Sequence, residues 1–197
     1  GTPGRVYERI DFQIHHGGLL AQFERAVHIA KCSGRVRSAP RDDVGACTCL
    51  FYVVRQGDHF GGHVITYSPA YDEADIEALC EFTHHLDFNS LSQWFCFREQ
   101  VMAHPRFASG ELQCGLRINP ECSTGHTPIY DPCVAGSRLG ITADQLAGAD
   151  LTGISGLHFH TLCEQNSDDL EKTLIAVDEK FGHLLRSPQF TYLNMGG

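Results

Sequence analysis

Short apolar segments of strand length alternate along this chain with amphipathic segments of helix length, and this alternation restricts the fold more than any other feature. An order of strand, helix and strand with short connections builds a parallel sheet covered by helices. The pattern fits both a β/α barrel and an open, doubly wound sheet, so alternation alone leaves these two open. The predicted strands are 49–54, 64–68, 86–89, 112–118, 153–159 and 190–195; the predicted helices are 19–31, 72–82, 92–104, a short helix capped by Thr142, and 167–185 with Ser167 as its cap.

Polar residues and glycines stand at the carboxyl ends of the predicted strands. They are Ser68-Pro69, Asn89-Ser90, Arg117–Asn119, His160 and Gly196-Gly197. The carboxyl ends of parallel strands lie at one edge of the sheet, where barrels and doubly wound sheets both build their sites. We therefore expect these residues to converge on one site.

A long polar loop follows the predicted strand 112–118, because Asn119-Pro120 ends the strand and the chain becomes apolar again only at Ile141. Two arginines, Arg117 and Arg138, frame this loop. A guanidinium at a strand end usually faces an anion, either a carboxylate of its own protein or a phosphate. Spacing by itself favours the carboxylate, and both interpretations stay open here.

Composition indicates one globular domain and excludes some classes of partner. The chain has 197 residues, of which 42% are hydrophobic, enough for a sizeable core. The 15 lysines and arginines are outnumbered by 24 acidic residues, and the formal charge of −9 argues against a nucleic-acid partner. A cationic substrate is compatible with this charge. No apolar run reaches membrane-spanning length, so we expect no membrane partner.

Nine cysteines indicate free thiols in a reducing cytoplasm, because the number is odd, the chain is not small and no signal peptide is recognisable. Two clusters have the composition of metal ligands, Cys47 with Cys49 and His158 with His160. Neither has a second half at the spacing of a zinc site, so we predict no metal.

Five segments of the chain form an ordered series: FGGHVITYSPAY at 60–71, LDFNSLSQW at 86–94, GLRINPE with DPCVAGSRLGI at 115–121 and 131–141, GLHFHTLCEQ at 156–165, and LNMGG at 193–197. Together they resemble the carboxynorspermidine (carboxyspermidine) decarboxylases, a family of pyridoxal-phosphate enzymes with the alanine-racemase-like barrel. Several ordered motifs are more specific than any one of them, and the resemblance implies a partial (β/α)8 TIM-like barrel, incomplete at its C-terminal end.

The resemblance implies site residues for the cofactor, pyridoxal 5'-phosphate. His160 resembles the histidine that stacks on the pyridine ring, and Gly196 and Gly197 the opening of the turn whose backbone N–H groups hold the phosphate. Arg117 resembles the active-site arginine beneath the cofactor. Arg138 is similar to the basic residue of the closing loop, and it is expected with Glu164 near the substrate. Cys163, in the same segment as Glu164, is expected near the cofactor.

The family also uses a lysine near the end of the first barrel strand to bind the cofactor covalently. The lysines of this chain are Lys31, Lys172 and Lys180, and the last two lie in the helix after His160. Lys31 is therefore the candidate, although its segment also fits the family's first helix. The Arg- and Asp-rich segment 35–46 stands where the catalytic strand is expected, which predicts a divergent or damaged N-terminal part over 1–59.

The predicted organisation is thus a divergent part at 1–59 and a pyridoxal-phosphate-binding barrel segment at 60–197, without the family's C-terminal β domain. The implied function is decarboxylation of carboxynorspermidine or carboxyspermidine in polyamine synthesis, by a cytoplasmic enzyme that is a homodimer at full length and takes a small-molecule polyamine precursor. Alternatives are a diaminopimelate- or ornithine-type decarboxylase, a non-catalytic homologue that binds the cofactor, and an inactive fragment.

Overall fold

A computed structural model describes residues 11–13, 63–125, 127–162 and 165–196, with only the backbone described at 11–13. The helices are α1 (Glu73–Cys80), α2 (Leu91–Met102), α3 (Pro105–Ala108), α4 (Ala143–Leu146) and α5 (Ser167–Leu185), and a 3-10 turn spans Pro128–Tyr130. The strands are β1 (Asp11–Gln13), β2 (Ile65–Ser68), β3 (His85–Phe88), β4 (Gln113–Arg117), β5 (Ile154–His158) and β6 (Tyr192–Asn194).

Strands β2 to β6 form a parallel sheet in which each strand lies beside the next one along the chain. A doubly wound sheet reverses its strand order near the middle, whereas a barrel keeps chain order. The order therefore decides between the two folds that the sequence left open, and the α/β partial barrel is confirmed. Strand β1 pairs antiparallel with β6, Asp11 opposite Asn194, at the edge of this half-barrel.

The two faces of the sheet differ in polarity because side chains alternate along each strand. On β3, Leu86 and Phe88 belong to the apolar core, while Asp87 between them belongs to a buried polar cluster. On β5, Leu157 is likewise in the core, as is Phe159 directly after the strand, and His158 is hydrogen-bonded to Asp87. One face thus packs on the helices, and the other carries the polar interior of the half-barrel.

The helices bury apolar stripes against the outer face of the sheet. The fully buried side chains of α1 and α2 include Ile76 and Trp94, and those of α5 include Val177 and Phe181. Burial of this kind stabilises the fold by about 25 cal/mol per Å² of apolar surface removed from water. In the part of the chain that the structure describes, no helix is long and apolar enough to cross a membrane.

Most predicted elements are present; α5 spans the predicted residues 167–185, and the other elements differ at one or both ends. Thr142 caps α4 as predicted, whereas the cap of α5 is Asn166, one residue before the predicted Ser167. Asn166 Oδ1 accepts hydrogen bonds from the backbone N–H groups of Asp168 and Asp169, which a helix start leaves unpaired. The predicted helix 19–31, the predicted strand 49–54 and the boundary at residues 59 and 60 lie outside the described residues.

Candidate functional site

The carboxyl ends of the parallel strands bring the predicted residues to one edge of the half-barrel. Strand pairing aligns Ser68 with Phe88, Phe88 with Leu116, and Arg117 with His158. His158 is in turn aligned with Asn194. The strand ends that carry Asn89, Arg117, His160 and Gly196 therefore meet, because a parallel register turns distant sequence positions into neighbours.

Arg117 is a buried cation, 5% exposed, at the end of β4. Its Nη1 donates to the Tyr67 hydroxyl at 2.6 Å and its Nη2 to the His160 carbonyl at 3.1 Å, and the guanidinium lies 4.7 Å from the centre of the Tyr67 ring. The arginine ion pairs among the described residues belong to Arg98, Arg106 and Arg186. No described carboxylate therefore pairs with Arg117, contrary to the interpretation that spacing alone favoured.

Tyr67 and Asn89 connect Arg117 to the end of the long loop. The Tyr67 hydroxyl donates to Asn89 Oδ1 at 2.8 Å. The same oxygen accepts the backbone N–H of Gly140 at 2.9 Å, and Asn89 Nδ2 donates to the Arg138 carbonyl at 2.9 Å. The amide of Asn89 thus holds the Arg138–Gly140 backbone at the site edge, while the side chain of Arg138 is exposed and pairs with no described residue.

The other end of the loop is held by α5 and by the loop's own side chains. Lys180 Nζ donates to the Pro120 carbonyl at 2.7 Å and contacts Glu121 Oε2 at 2.9 Å. Asp131 accepts from the Ser123 hydroxyl and, at 2.8 Å, from the backbone N–H of Cys133. These contacts therefore hold the described residues of the loop beside α5 and against one another.

His160 and Gly196 lie against each other at the rim. Gly196 has φ +68°, and a Cβ added there would lie 2.8 Å from His160 Nδ1 and 2.7 Å from the Phe159 carbonyl oxygen. Only glycine fits so close an approach in this conformation. Although His160 as a whole is exposed, its pKa is lowered, first by removal of the ring from water and then by the positive charges of Arg117 and His158.

The structure thus brings together Arg117, His160 and Gly196 and places the backbone of Arg138 beside them. The other predicted site residues, Lys31, Cys163, Glu164 and Gly197, lie outside the described residues. Within the glycine turn, the N–H of Gly196 donates to Asn194 Oδ1 at 3.0 Å.

Sequence reasoning missed a buried polar cluster beneath this edge. The Asp87 carboxylate, 0% exposed, lies 2.8 Å from His158 Nδ1 and accepts the Tyr192 hydroxyl at 2.9 Å. Asn194 Nδ2 lies 3.5 Å from the same carboxylate. The signal was present in the strands LDFN and LHFH, where a polar residue stands between two apolar ones, but nothing local predicted that these side chains meet.

Two further observations concern possible metal ligands and a second cavity. Among the described residues, no group of three or more His, Cys, Asp or Glu side chains is arranged to hold a metal ion. A cavity of about 540 Å³ is lined by Gln113, Ser155 and Thr191, at the amino ends of β4, β5 and β6. It is thus at the opposite edge of the sheet from Arg117 and His160.

Comparison with known proteins identifies similar chains over most of this sequence. The carboxyaminopropylagmatine decarboxylase of Synechocystis sp. is 43% identical over 140 residues, 71% of this chain and 34% of that protein. The carboxynorspermidine/carboxyspermidine decarboxylase of Campylobacter jejuni is 37% identical over 153 residues, 77% of this chain and 37% of that protein. The chain thus spans about a third of the length of these curated relatives. No family model matches the chain.

A solved structure of one such decarboxylase is similar in fold to this chain. The crystal structure of carboxynorspermidine decarboxylase from Campylobacter jejuni, complexed with norspermidine, superposes with a TM-score of 0.52 at 36% sequence identity. The match covers 64% of this chain and 29% of that one. The half-barrel is therefore similar to part of that larger structure.

Proposed function

We propose that this chain, which is homologous to the carboxynorspermidine and carboxyspermidine decarboxylases, forms the cofactor-binding part of a pyridoxal-phosphate-dependent decarboxylase of polyamine synthesis. The observation that carries the proposal is the buried guanidinium of Arg117, which no described carboxylate neutralises. A buried cation is costly without an anion, and a phosphorylated cofactor supplies one beside Gly196 and His160.

The described residues fit the cofactor in two respects. Gly196 leaves room that a Cβ would fill, so a phosphate can approach the backbone of the turn. His160 has a lowered pKa, so its ring is neutral near pH 7 and can lie flat on an aromatic ring without adding a charge beside Arg117. Gly197 would continue the phosphate turn, and Cys163 would lie near the cofactor.

The bound cofactor supplies an acceptor for the electron pair that remains when CO2 leaves the substrate. The work of the protein is orientation and exclusion of water. Arg117 and His160 hold the binding surface, and Asn89 keeps the backbone of Arg138 at its rim. Arg138 and Glu164 are the candidates for contact with the substrate, and Lys31 is the candidate for covalent attachment of the cofactor.

We assign carboxynorspermidine or carboxyspermidine as substrate and a cytoplasmic homodimer as the working form of the whole protein. The names of the relatives support the substrate class, and one relative is named for carboxyaminopropylagmatine, which adds a third compound to test. A diaminopimelate- or ornithine-type decarboxylase, or a non-catalytic homologue that binds the cofactor, remains the alternative. The same acidic chain, with formal charge −9, suits a polycationic substrate.

The first test measures cofactor binding by the full chain. Binding is monitored by absorbance and by quenching of tryptophan fluorescence. Arg117→Met should weaken binding by about tenfold or more, since a charge-assisted contact to phosphate is lost. Arg98→Met is the matched control, because Arg98 pairs with Asp150 on the surface and should leave binding unchanged. Binding that is equal in wild type and Arg117→Met would contradict the proposal.

The second test distinguishes catalysis from binding alone. Borohydride reduction of the chain with cofactor, followed by mass spectrometry, should place the cofactor on Lys31 and not on Lys172, which is exposed on α5. Release of CO2 is then measured for carboxynorspermidine, carboxyspermidine, carboxyaminopropylagmatine, diaminopimelate and ornithine. Binding without covalent attachment or CO2 release would favour the non-catalytic homologue, and sedimentation would report whether the chain forms a dimer.

A further inference from the structure

Asp87 occupies the centre of the half-barrel interior and yet belongs to no ion pair with lysine or arginine among the described residues. A buried carboxylate is costly unless hydrogen bonds compensate for the water that it loses. Its partners come from two other strands: His158 on β5, and Tyr192 and Asn194 on β6. The carboxylate of β3 is therefore bound across β4 by residues that lie 71 to 107 positions away in the sequence.

Two glycines make this crossing possible. A Cβ added at Gly115 on β4 would overlap Asp87 Oδ1 and the Tyr192 hydroxyl, and a Cβ added at Gly156 on β5 would overlap the Tyr192 ring. The tyrosine ring therefore lies over both strands on its way to Asp87. His85 stacks on the ring at 4.0 Å between centres, with the two planes 9° apart. The interior layer is thus closely packed around the carboxylate.

The direction of each hydrogen bond follows from what the groups can donate. A carboxylate only accepts, so His158 Nδ1–H and Tyr192 O–H donate to it. Asn194 Oδ1 accepts the N–H of Gly196 at 3.0 Å, and its Nδ2 faces the cluster. Asn194 Nδ2 is 3.0 Å from His158 Nδ1, but that nitrogen already donates, so among the described residues the acceptor for the amide hydrogen is Asp87 Oδ2, at 3.5 Å. Asp87 thereby decides which way the amide of Asn194 points.

The orientation of Asn194 matters because it determines the glycine turn. Were the amide reversed, its NH2 group would face the N–H of Gly196, two donors would meet, and the turn would lose its hydrogen bond. Gly196 is held on its other side by Phe159 and His160, and its φ of +68° is open mainly to glycine. A continuous series of contacts therefore runs from Asp87 through Asn194 to Gly196 and the rim.

We infer that Asp87 is a positioning residue, which acts through Asn194 to keep the glycine turn in the conformation that receives the phosphate of the cofactor. The inference rests on the proposed function for the identity of the ligand. It assigns to a side chain in the middle of the sheet a part in binding at the strand ends. It also explains why a carboxylate is retained in a buried layer that apolar side chains could fill.

Three variants of the full chain are compared, so that an effect on the conformation of the glycine turn can be separated from an effect on overall stability. Asp87→Asn replaces an acceptor by an amide, and Asn194→Ala removes the link to Gly196. Tyr192→Phe removes only the hydroxyl bonded to Asp87 and leaves the ring and Asn194 in place, so it serves as the structural control. Chemical denaturation of each variant without cofactor reports the loss of stability that is common to all three.

The first readout is the ratio of the affinities for pyridoxal 5'-phosphate and for pyridoxal, which has no phosphate. Asp87→Asn and Asn194→Ala should lower this ratio by about tenfold, which corresponds to one lost hydrogen bond of moderate strength. Tyr192→Phe should leave it within about twofold of wild type. An unchanged ratio in Asp87→Asn, or an equal fall in Tyr192→Phe, would overturn the inference.

The second readout needs no cofactor and covers the case in which one variant does not fold. Hydrogen exchange of the Gly196 amide, measured by NMR, should be faster by about tenfold in whichever of Asp87→Asn and Asn194→Ala folds, and unchanged in Tyr192→Phe. If the variants show this exchange pattern but the wild-type protein binds no pyridoxal phosphate, the proposed function is refuted, whereas the positioning of the turn by Asp87 still stands. Unchanged exchange in both variants would overturn the inference itself.

Discussion

A buried guanidinium with no carboxylate partner destabilises the fold that contains it, because the protein replaces its hydration only in part. Arg117 donates hydrogen bonds to one hydroxyl and one carbonyl, and Tyr67 remains bonded to Asn89 without it. We therefore predict that Arg117→Met raises the unfolding free energy of the chain by about 1 kcal/mol in the absence of cofactor. Urea denaturation measures this change.

Arg98→Met is the control for that measurement, because the exposed pair of Arg98 and Asp150 is screened by water and its loss should leave the unfolding free energy nearly unchanged. A fall of more than about 1 kcal/mol for Arg117→Met would mean that an acid outside the described residues neutralises Arg117. The same variant would then lose its value as support for an anionic ligand.

Gly196 and Gly148 offer a matched comparison at the scale of one Cβ. Both have a positive φ, +68° and +74°, but only the Cβ at Gly196 meets other atoms, whereas Gly148 has nothing within 4 Å. Gly148→Ala should cost about 1 kcal/mol for the left-handed conformation alone. Gly196→Ala should cost at least about 1 kcal/mol more, because Phe159 and His160 must move. Equal urea midpoints for the two variants would contradict the close approach.

At the scale of elements, the close packing of β5 and β6 depends on Gly156, because its missing side chain leaves room for the Tyr192 ring. Gly156→Ala should destabilise the chain by about 2 kcal/mol, since the methyl group overlaps the Tyr192 ring between β5 and β6. Gly125→Ala is the control, because its Cβ would make only ordinary contacts with Asp131, at 3.6 Å or more. Thermal unfolding of both variants tests the difference, and a double variant with Tyr192→Leu should recover part of the loss.

The helices show which element boundaries a sequence can predict. The start of α4 was predicted correctly because Thr142 and Gln145 form a capping box within three residues. The bounds of α5 were predicted correctly but its cap one residue late, since Asn166 and Ser167 are both good caps and the choice depends on backbone geometry. Helix α3 was not predicted, because four residues carry too little periodicity.

At the scale of the whole molecule, burial makes stability depend on pH in both directions. The pKa values of His84 and His160 are lowered, so the unfolded chain takes up protons first as the pH falls below about 6.5. Burial raises the pKa of Cys80 and of Cys133 to about 11, so the unfolded thiols lose protons first as the pH rises above about 9. The unfolding free energy should therefore be highest between these limits.

Urea denaturation at pH 5.5, 7.5 and 9.5 tests this profile, with values chosen on either side of the ordinary pKa values of histidine and cysteine, about 6.5 and 8.5. His84→Gln combined with His160→Gln should reduce the loss between pH 7.5 and 5.5, because the two groups whose titration causes it are removed. A loss of the same size in this double variant would refute the assignment to these histidines.

The alternation of segments was enough to predict a parallel sheet, its helices and the edge at which the site lies. Those properties follow from local periodicity and from the rule that parallel strands end together, so the convergence of Arg117, His160 and Gly196 could be expected. The resemblance of five motifs added the cofactor, which stays a proposal, and the class of reaction, which the names of the relatives support.

Only the tertiary structure decided how the interior of the half-barrel is connected. The strand order, in which each strand lies beside the next one along the chain, distinguished a barrel from a doubly wound sheet. The strand register placed Asp87 beside His158, Tyr192 and Asn194. The physical reason is that periodicity tells which side of a strand faces inward, whereas the partner of an inward side chain depends on strand order and register across the whole sheet. That no described carboxylate pairs with the buried Arg117 is likewise a property of the assembled edge and of no local pattern in the sequence.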